Sequence, residues 1–114
     1  MNNGASAEAG SVDQFRAEFA PVLRSYNAME TTKRRHFDYL SMLEYKKKKF
    51  NLAATVAEES TLQNLLRDHN DEVQEFKTLS QQLKSSNPLA HEALFQYIGH
   101  LNSALAPVNT STGH

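Results

Sequence analysis

The chain has 114 residues, 39% hydrophobic and 22% charged, with a formal net charge of −1 and no cysteine. That length suits one domain with a modest core, and the missing cysteine removes disulfides, thiol nucleophiles and Cys-based zinc sites from consideration. No apolar run approaches the ~20 residues of a membrane span, and the opening MNNGASAEAGS lacks both the basic and the apolar part of a secretory signal, so a cytoplasmic location is expected.

Neither Gly nor Pro occurs between Pro21 and Pro88. Tight β-turns depend on residues that accept positive φ or fix φ near −65°, so this stretch can hardly hold several hairpins. The expected fold class is therefore all-α: an antiparallel bundle of three to four helices, with a long basic helix, an acidic second helix and a shorter C-terminal helix. The bundle is expected over residues 11–106 as a single domain. The polar ends, 1–10 and 107–114, have too little to bury to offset the entropy of ordering them and are expected to be flexible tails.

In chain order, Ser11-Val12-Asp13-Gln14 has the pattern of a capping box, and Val12, Phe15 and Phe19 fall on one face of the helix it would open. Pro21 removes a helical hydrogen bond and clashes one turn back, which predicts a kink near Phe19 or a new helix starting there. From Phe19 a stripe steps alternately by three and four through Val22, Tyr26, Met29, Lys33, His36, Leu40, Leu43, Lys47, Phe50, Ala54 and Ala57. This is the heptad spacing of coiled-coil helices. Thr31 or Thr32 could cap a new helix within it, and the pattern leaves a break there open. With a break, a four-helix up-and-down bundle results. Without one, a helix of more than ~35 residues outruns its neighbours and leaves Phe15, Phe19, Val22 and Tyr26 needing a second copy. A homodimer is expected, with Phe15–Met29 at or near its interface.

A second stripe, Leu62, Leu66, His69, Val73, Phe76, Ser80 and Leu83, is one residue out of register with the first. A break near Glu58–Thr61 would explain the slip, and Ser60-Thr61-Leu62-Gln63 offers a capping box there. Asn87-Pro88 reads as a cap followed by a first-turn proline, opening a helix whose apolar face is Leu94, Tyr97, Ile98, Leu101 and Leu105. Gly99 in its interior is unfavourable by ~1 kcal/mol against Ala and suggests close approach of another helix. The expected core comprises Leu40, Leu43, Phe50, Leu66, Val73, Phe76, Leu94, Ile98 and Leu101.

Motifs for chemistry are lacking. His36 and His69 sit on stripes, but the zinc-protease and di-iron spacings do not occur, and His91-Glu92-Ala93-Leu94-Phe95 ends in Phe. Glu58, Glu59, Asp68, Asp71, Glu72 and Glu75 are the carboxylates available for a site, but Asp68, Asp71, Glu72 and Glu75 fall opposite Leu62, Leu66, Val73 and Phe76 and read as a solvated acidic face. No serine lies in a nucleophile-elbow pattern. The expectation is a non-enzymatic protein without metal or cofactor. Charge is the stronger signal. Arg16 to Phe50 carries nine Lys or Arg against four acids, and Asn51 to His114 three against seven. Arg24, Arg35 and Lys46 recur every eleven residues, three helical turns, with Met42, Tyr45 and Lys49 on the same side. Arg24, Arg35, Met42, Tyr45, Lys46 and Lys49 are the candidate partner-binding residues, placed opposite the core. They would make the chain an interaction module for another, acidic, protein. The alternative is a nucleic-acid or other polyanion binder using the basic face of residues 24–49, against which the acidic second half counts.

Overall fold

The computed structural model describes residues 12–105. The fold is an all-α helical bundle with no strand among the described residues. A helical turn at 12–14 precedes α1 (Arg16–Phe50), α2 (Val56–Ser86) and α3 (Pro88–Leu105). These helices contribute to two compact units, one formed by 12–23 with 80–105 and the other by 24–79.

Each helix end has a local cause. Phe15 forms the turn between 12–14 and α1, and Pro21 lies inside α1 rather than at its start, so the break falls one and a half turns before the proline. Thr31 and Thr32 do not cap a new helix. Their hydroxyls donate backwards, Thr31 Oγ1 to Asn27 O (2.9 Å) and Thr32 Oγ1 to Met29 O (3.0 Å), and a hydroxyl satisfied within the preceding turn leaves the helix free to continue. α1 stops at Asn51, whose N–H still donates to Lys47 O at 2.9 Å and whose left-handed backbone (φ 57°) turns the following chain out of the helix. Asn is the residue after Gly that best tolerates this cap.

The inter-helix break therefore lies at 51–55, earlier than the Glu58–Thr61 expected from the register slip. The true capping box is Thr55–Glu58. Thr55 N donates to Glu58 Oε1 (3.0 Å) and Glu58 N to Thr55 Oγ1 (3.1 Å), two otherwise unsatisfied donors met reciprocally. Ala54 and Ala57, read as the end of the first stripe, fall in the loop and in the first turn of α2. At the next joint the expectation holds. Ala90 N donates to Asn87 Oδ1 at 3.2 Å, and Pro88 is the first residue of α3.

In the first unit, Phe19 and Val22 of α1, Leu83 of α2, and Ala90, Ala93, Leu94 and Ile98 of α3 form the core. Phe19 and Leu94 are fully buried. The Phe19 ring stacks on Tyr97 (centroids 6.1 Å, 26°), and the Arg16 guanidinium lies 5.2 Å from the other ring's centre. The stripe from Phe15 to Met29 thus needs no second copy. Phe19 and Val22 are buried by this chain's own residues, and Phe15, Tyr26 and Met29 are half-buried. Gly99 marks no close approach either: it is exposed, and a Cβ built there would meet nothing within 4 Å.

The second unit is a helical hairpin. Tyr26 packs on Phe76 (centroids 5.7 Å), Thr32 Oγ1 lies 3.1 Å from His69 Nδ1, and Lys46 Nζ donates to Glu58 Oε2 at 2.6 Å. Contacts that ascend α1 while descending α2 define an antiparallel pair. The inner seam steps by three and four through Ser25, Met29, Thr32, His36, Tyr39, Leu43 and Lys46 on α1, and through Glu58, Leu62, Leu65, His69, Glu72, Phe76 and Leu79 on α2; all are buried or half-buried.

Within the hairpin, alternate positions of each expected stripe lie in this seam, Met29, His36 and Leu43 on α1 and Leu62, His69 and Phe76 on α2. The intervening positions sit one residue earlier than the apolar reading put them. Leu65, not Leu66, faces inward, and Leu66 is exposed. Phe50 is exposed as well, because α1 ends there with no α2 residue beyond the loop to cover it. Leu43, Leu94 and Ile98 are buried as expected, while Leu40, Val73, Phe76 and Leu101 are half-buried. Ser11 and both expected tails lie outside the described residues.

Candidate interaction surface

Two features of the hairpin bear on function, a seam containing polar residues and apolar side chains left outside it. Thr32 with His69 and Lys46 with Glu58 occupy positions where a self-sufficient hairpin would carry aliphatics. Among the described residues of this unit Leu43 is the one hydrophobic side chain that is buried, and it keeps 7% exposure. Meanwhile Phe37, Met42, Tyr45, Phe50, Leu52, Val56 and Leu66 are exposed. Single exposed hydrophobics are ordinary, but several gathered on one face mark an interaction surface.

The antiparallel register sorts these residues onto two flanks. Residues immediately after a seam position that opens a four-residue step lie on one flank: Tyr26, Lys33, Leu40 and Lys47 on α1, with Glu59, Leu66 and Val73 on α2. Phe37 extends it outward, one helical turn from Lys33 and Leu40. Residues just before the other seam positions lie on the opposite flank: Ala28, Arg35, Met42 and Lys49 on α1, with Thr61, Asp68 and Glu75 on α2.

Five of the six candidate partner-binding residues belong to that second flank or its outer edge. Arg24, Arg35, Met42, Tyr45 and Lys49 are exposed there. They lie beside the seam rather than opposite it, because α1 is wound around a seam displaced from the stripe that had set the geometry. Lys46 is placed differently. As a seam residue it is committed to Glu58, and both side chains are partly covered. That bond, with the backbone N–H of Thr55, holds the Glu58 carboxyl below its ordinary pKa. No pattern in the sequence marked this pair, since its partners are joined only by the turn at Asn51.

The acidic residues divide similarly. Asp68, Asp71 and Glu75 are exposed, whereas Glu72 occupies the seam and Glu58 the ion pair. His69 is bonded to Thr32, and His91 Nε2 lies 3.2 Å from Ser80 Oγ with its ring against Phe95. Among the described residues no three His, Asp or Glu side chains come together as a metal site. A depression of about 600 Å³ at the end of α1, open to solvent, is lined by Glu44, Lys47, Lys48 and Asn51. Its lining residues are all charged or polar, without the aliphatic and aromatic side chains typical of small-molecule sites. No described helix is long and apolar enough to cross a membrane. No protein-family model matches this sequence, and no curated protein or solved structure shows significant similarity to it.

Proposed function

We propose that this protein is a non-enzymatic helical interaction module that self-associates and docks a protein partner on the basic flank of α1. The observation that carries this reading is the coincidence of exposed cations and exposed apolar side chains on one side of a single helix: Arg24, Arg35 and Lys49 with Met42 and Tyr45. Arg, Met and Tyr are enriched where proteins meet proteins. The flank is also patterned in charge. Asp68 precedes His69, and Arg35 stands three residues beyond Thr32, the bonding partner of His69, so a carboxylate lies at nearly the height of Arg35. A phosphate backbone tracking α1 would meet that repulsion, whereas an acidic helix or loop can be shaped around it.

The test is a triple reversal, Arg24→Glu, Arg35→Glu and Lys49→Glu. Exposed charges contribute little to stability, so helicity and melting temperature should stay near those of the parent while partner capture from a native lysate is lost. Unchanged capture would remove the basic flank as the docking surface. Wild-type binding to nucleic acid that weakens log-linearly with salt would instead establish the polyanion reading.

A further inference from the structure

The flank opposite the basic one carries the most prominent exposed aromatic of the hairpin, Phe37, at 64% exposure, with Leu66 at 42%. The bond between Thr32 and His69 fixes their relative height. Phe37 is five residues further along α1, and Leu66 is three residues back along α2, so in the antiparallel pair both stand roughly one turn further toward the loop. Half-buried Leu40 and Val73 continue the same flank. The ion pair Lys46–Glu58 likewise sets Lys47 and Glu59, each one residue on, at a common height on this side, and both are exposed.

We propose that a second copy of this chain docks on this flank, with α1 of one copy lying over α2 of the other about a twofold axis parallel to the hairpin. The inference rests on the self-association in the functional reading and supplies its surface and geometry. Symmetry and charge select a second copy in this orientation. First, residues at equal height on α1 and α2 become partners across such an axis. Phe37 meets Leu66 of the other copy, Lys47 meets Glu59, and each contact occurs twice, as an isologous interface requires. Second, charge chooses between the two face-to-face arrangements. Residues 24–50 of α1 carry eight Lys or Arg against three acids, and residues 56–79 of α2 carry two against six. Stacking α1 on α1 would oppose like fields, and stacking α1 on α2 pairs unlike ones. The basic flank remains free for a partner in this dimer.

Because the chain has no cysteine, single-cysteine variants report the geometry directly. Phe37→Cys and Leu66→Cys are prepared separately, checked for parental helicity, and oxidised alone and as an equimolar mixture after subunit exchange. Aligned thiols react at an effective concentration far above bulk, so the mixed disulfide should exceed either self-disulfide by about tenfold or more. A dominant Phe37→Cys self-disulfide would overturn the proposal in favour of α1 stacked on α1. Equal, slow formation of all three species in a protein that sediments as a dimer would place the interface elsewhere and leave self-association standing. The same equality in a protein that sediments as a monomer would remove self-association itself. As a second measurement, Lys47→Glu and Glu59→Lys should each weaken dimerisation and restore it when combined. Failure of the double variant to recover would count against this pairing.

Discussion

Replacing Phe19 with Ala tests whether the start of α1 is covered by its own chain. The ring is fully buried and stacked on Tyr97. Removing a buried phenyl group loses its transfer free energy and leaves a cavity, together about 3–5 kcal/mol. For a domain of this size each kcal/mol lowers the melting temperature by about 4–8 °C, so a fall of roughly 12 °C or more is expected. Urea unfolding followed by circular dichroism, at low and at high protein concentration, measures the loss. It should be the same at both concentrations, because the residues against Phe19 belong to the same molecule. A cycle with Tyr97→Ala should return a coupling of about 0.5–1.5 kcal/mol for the ring pair; Arg16, which also lies against Tyr97, is present in every corner of that cycle and does not enter the difference. A loss under about 1 kcal/mol, or one seen only at concentrations where the protein self-associates, would refute the placement of Phe19 inside its own unit.

Phe50→Ala should change stability by less than about 1 kcal/mol, since that ring is exposed and touches Tyr45 at 6.2 Å between centroids; a loss typical of a core phenylalanine in the same urea assay would return Phe50 to the interior. Thr55→Ala should lower stability by about 1 kcal/mol through the lost α2 cap, while Ser60→Ala should leave it nearly unchanged, the reverse of what a box at Ser60 requires. The Glu58 carboxyl has a lowered pKa in the folded chain, from its bonds to Lys46 and to Thr55 N–H. Its contribution is therefore present above the ordinary carboxylate pKa and disappears as pH falls through the lowered value. Glu58→Gln should flatten that part of the acid-side stability profile, and an unaltered profile would show the bonds are not formed in solution. Ser25 Oγ is buried without a hydrogen-bond partner among the described residues, so Ser25→Ala should be neutral or stabilising; destabilisation on thermal melting would reveal a bond from that hydroxyl.

The helical class and the Asn87–Pro88 joint were legible because they depend on local chemistry, the absence of turn residues and an amide placed before a proline. The seam was only half legible. Regular steps of three and four drawn between the apolar residues run through Lys33, Lys47 and Leu66. The folded hairpin places Thr32, Lys46 and Leu65 inward because Thr32 and Lys46 find polar partners across it. Such pairings are long-range and leave no periodic trace. The loop was displaced for a similar reason. Asn51 turns the chain without the Gly that usually announces a left-handed cap, and Thr55 caps α2 ahead of the more familiar Ser60. The basic flank was visible as eleven-residue spacing, but its angle to the core depended on the seam and moved with it.

The measurement closest to the central claim is sedimentation equilibrium of the parent chain and of Leu66→Glu over a rising series of micromolar concentrations. A self-associating hairpin joined through the Phe37–Leu66 flank predicts that the parent's mass climbs from 12.8 kDa toward twice that value. Leu66→Glu, with a charge buried in the interface, should stay at the monomer mass with unchanged helicity. A parent that remains at 12.8 kDa throughout, or a Leu66→Glu variant that associates equally well, would contradict the account.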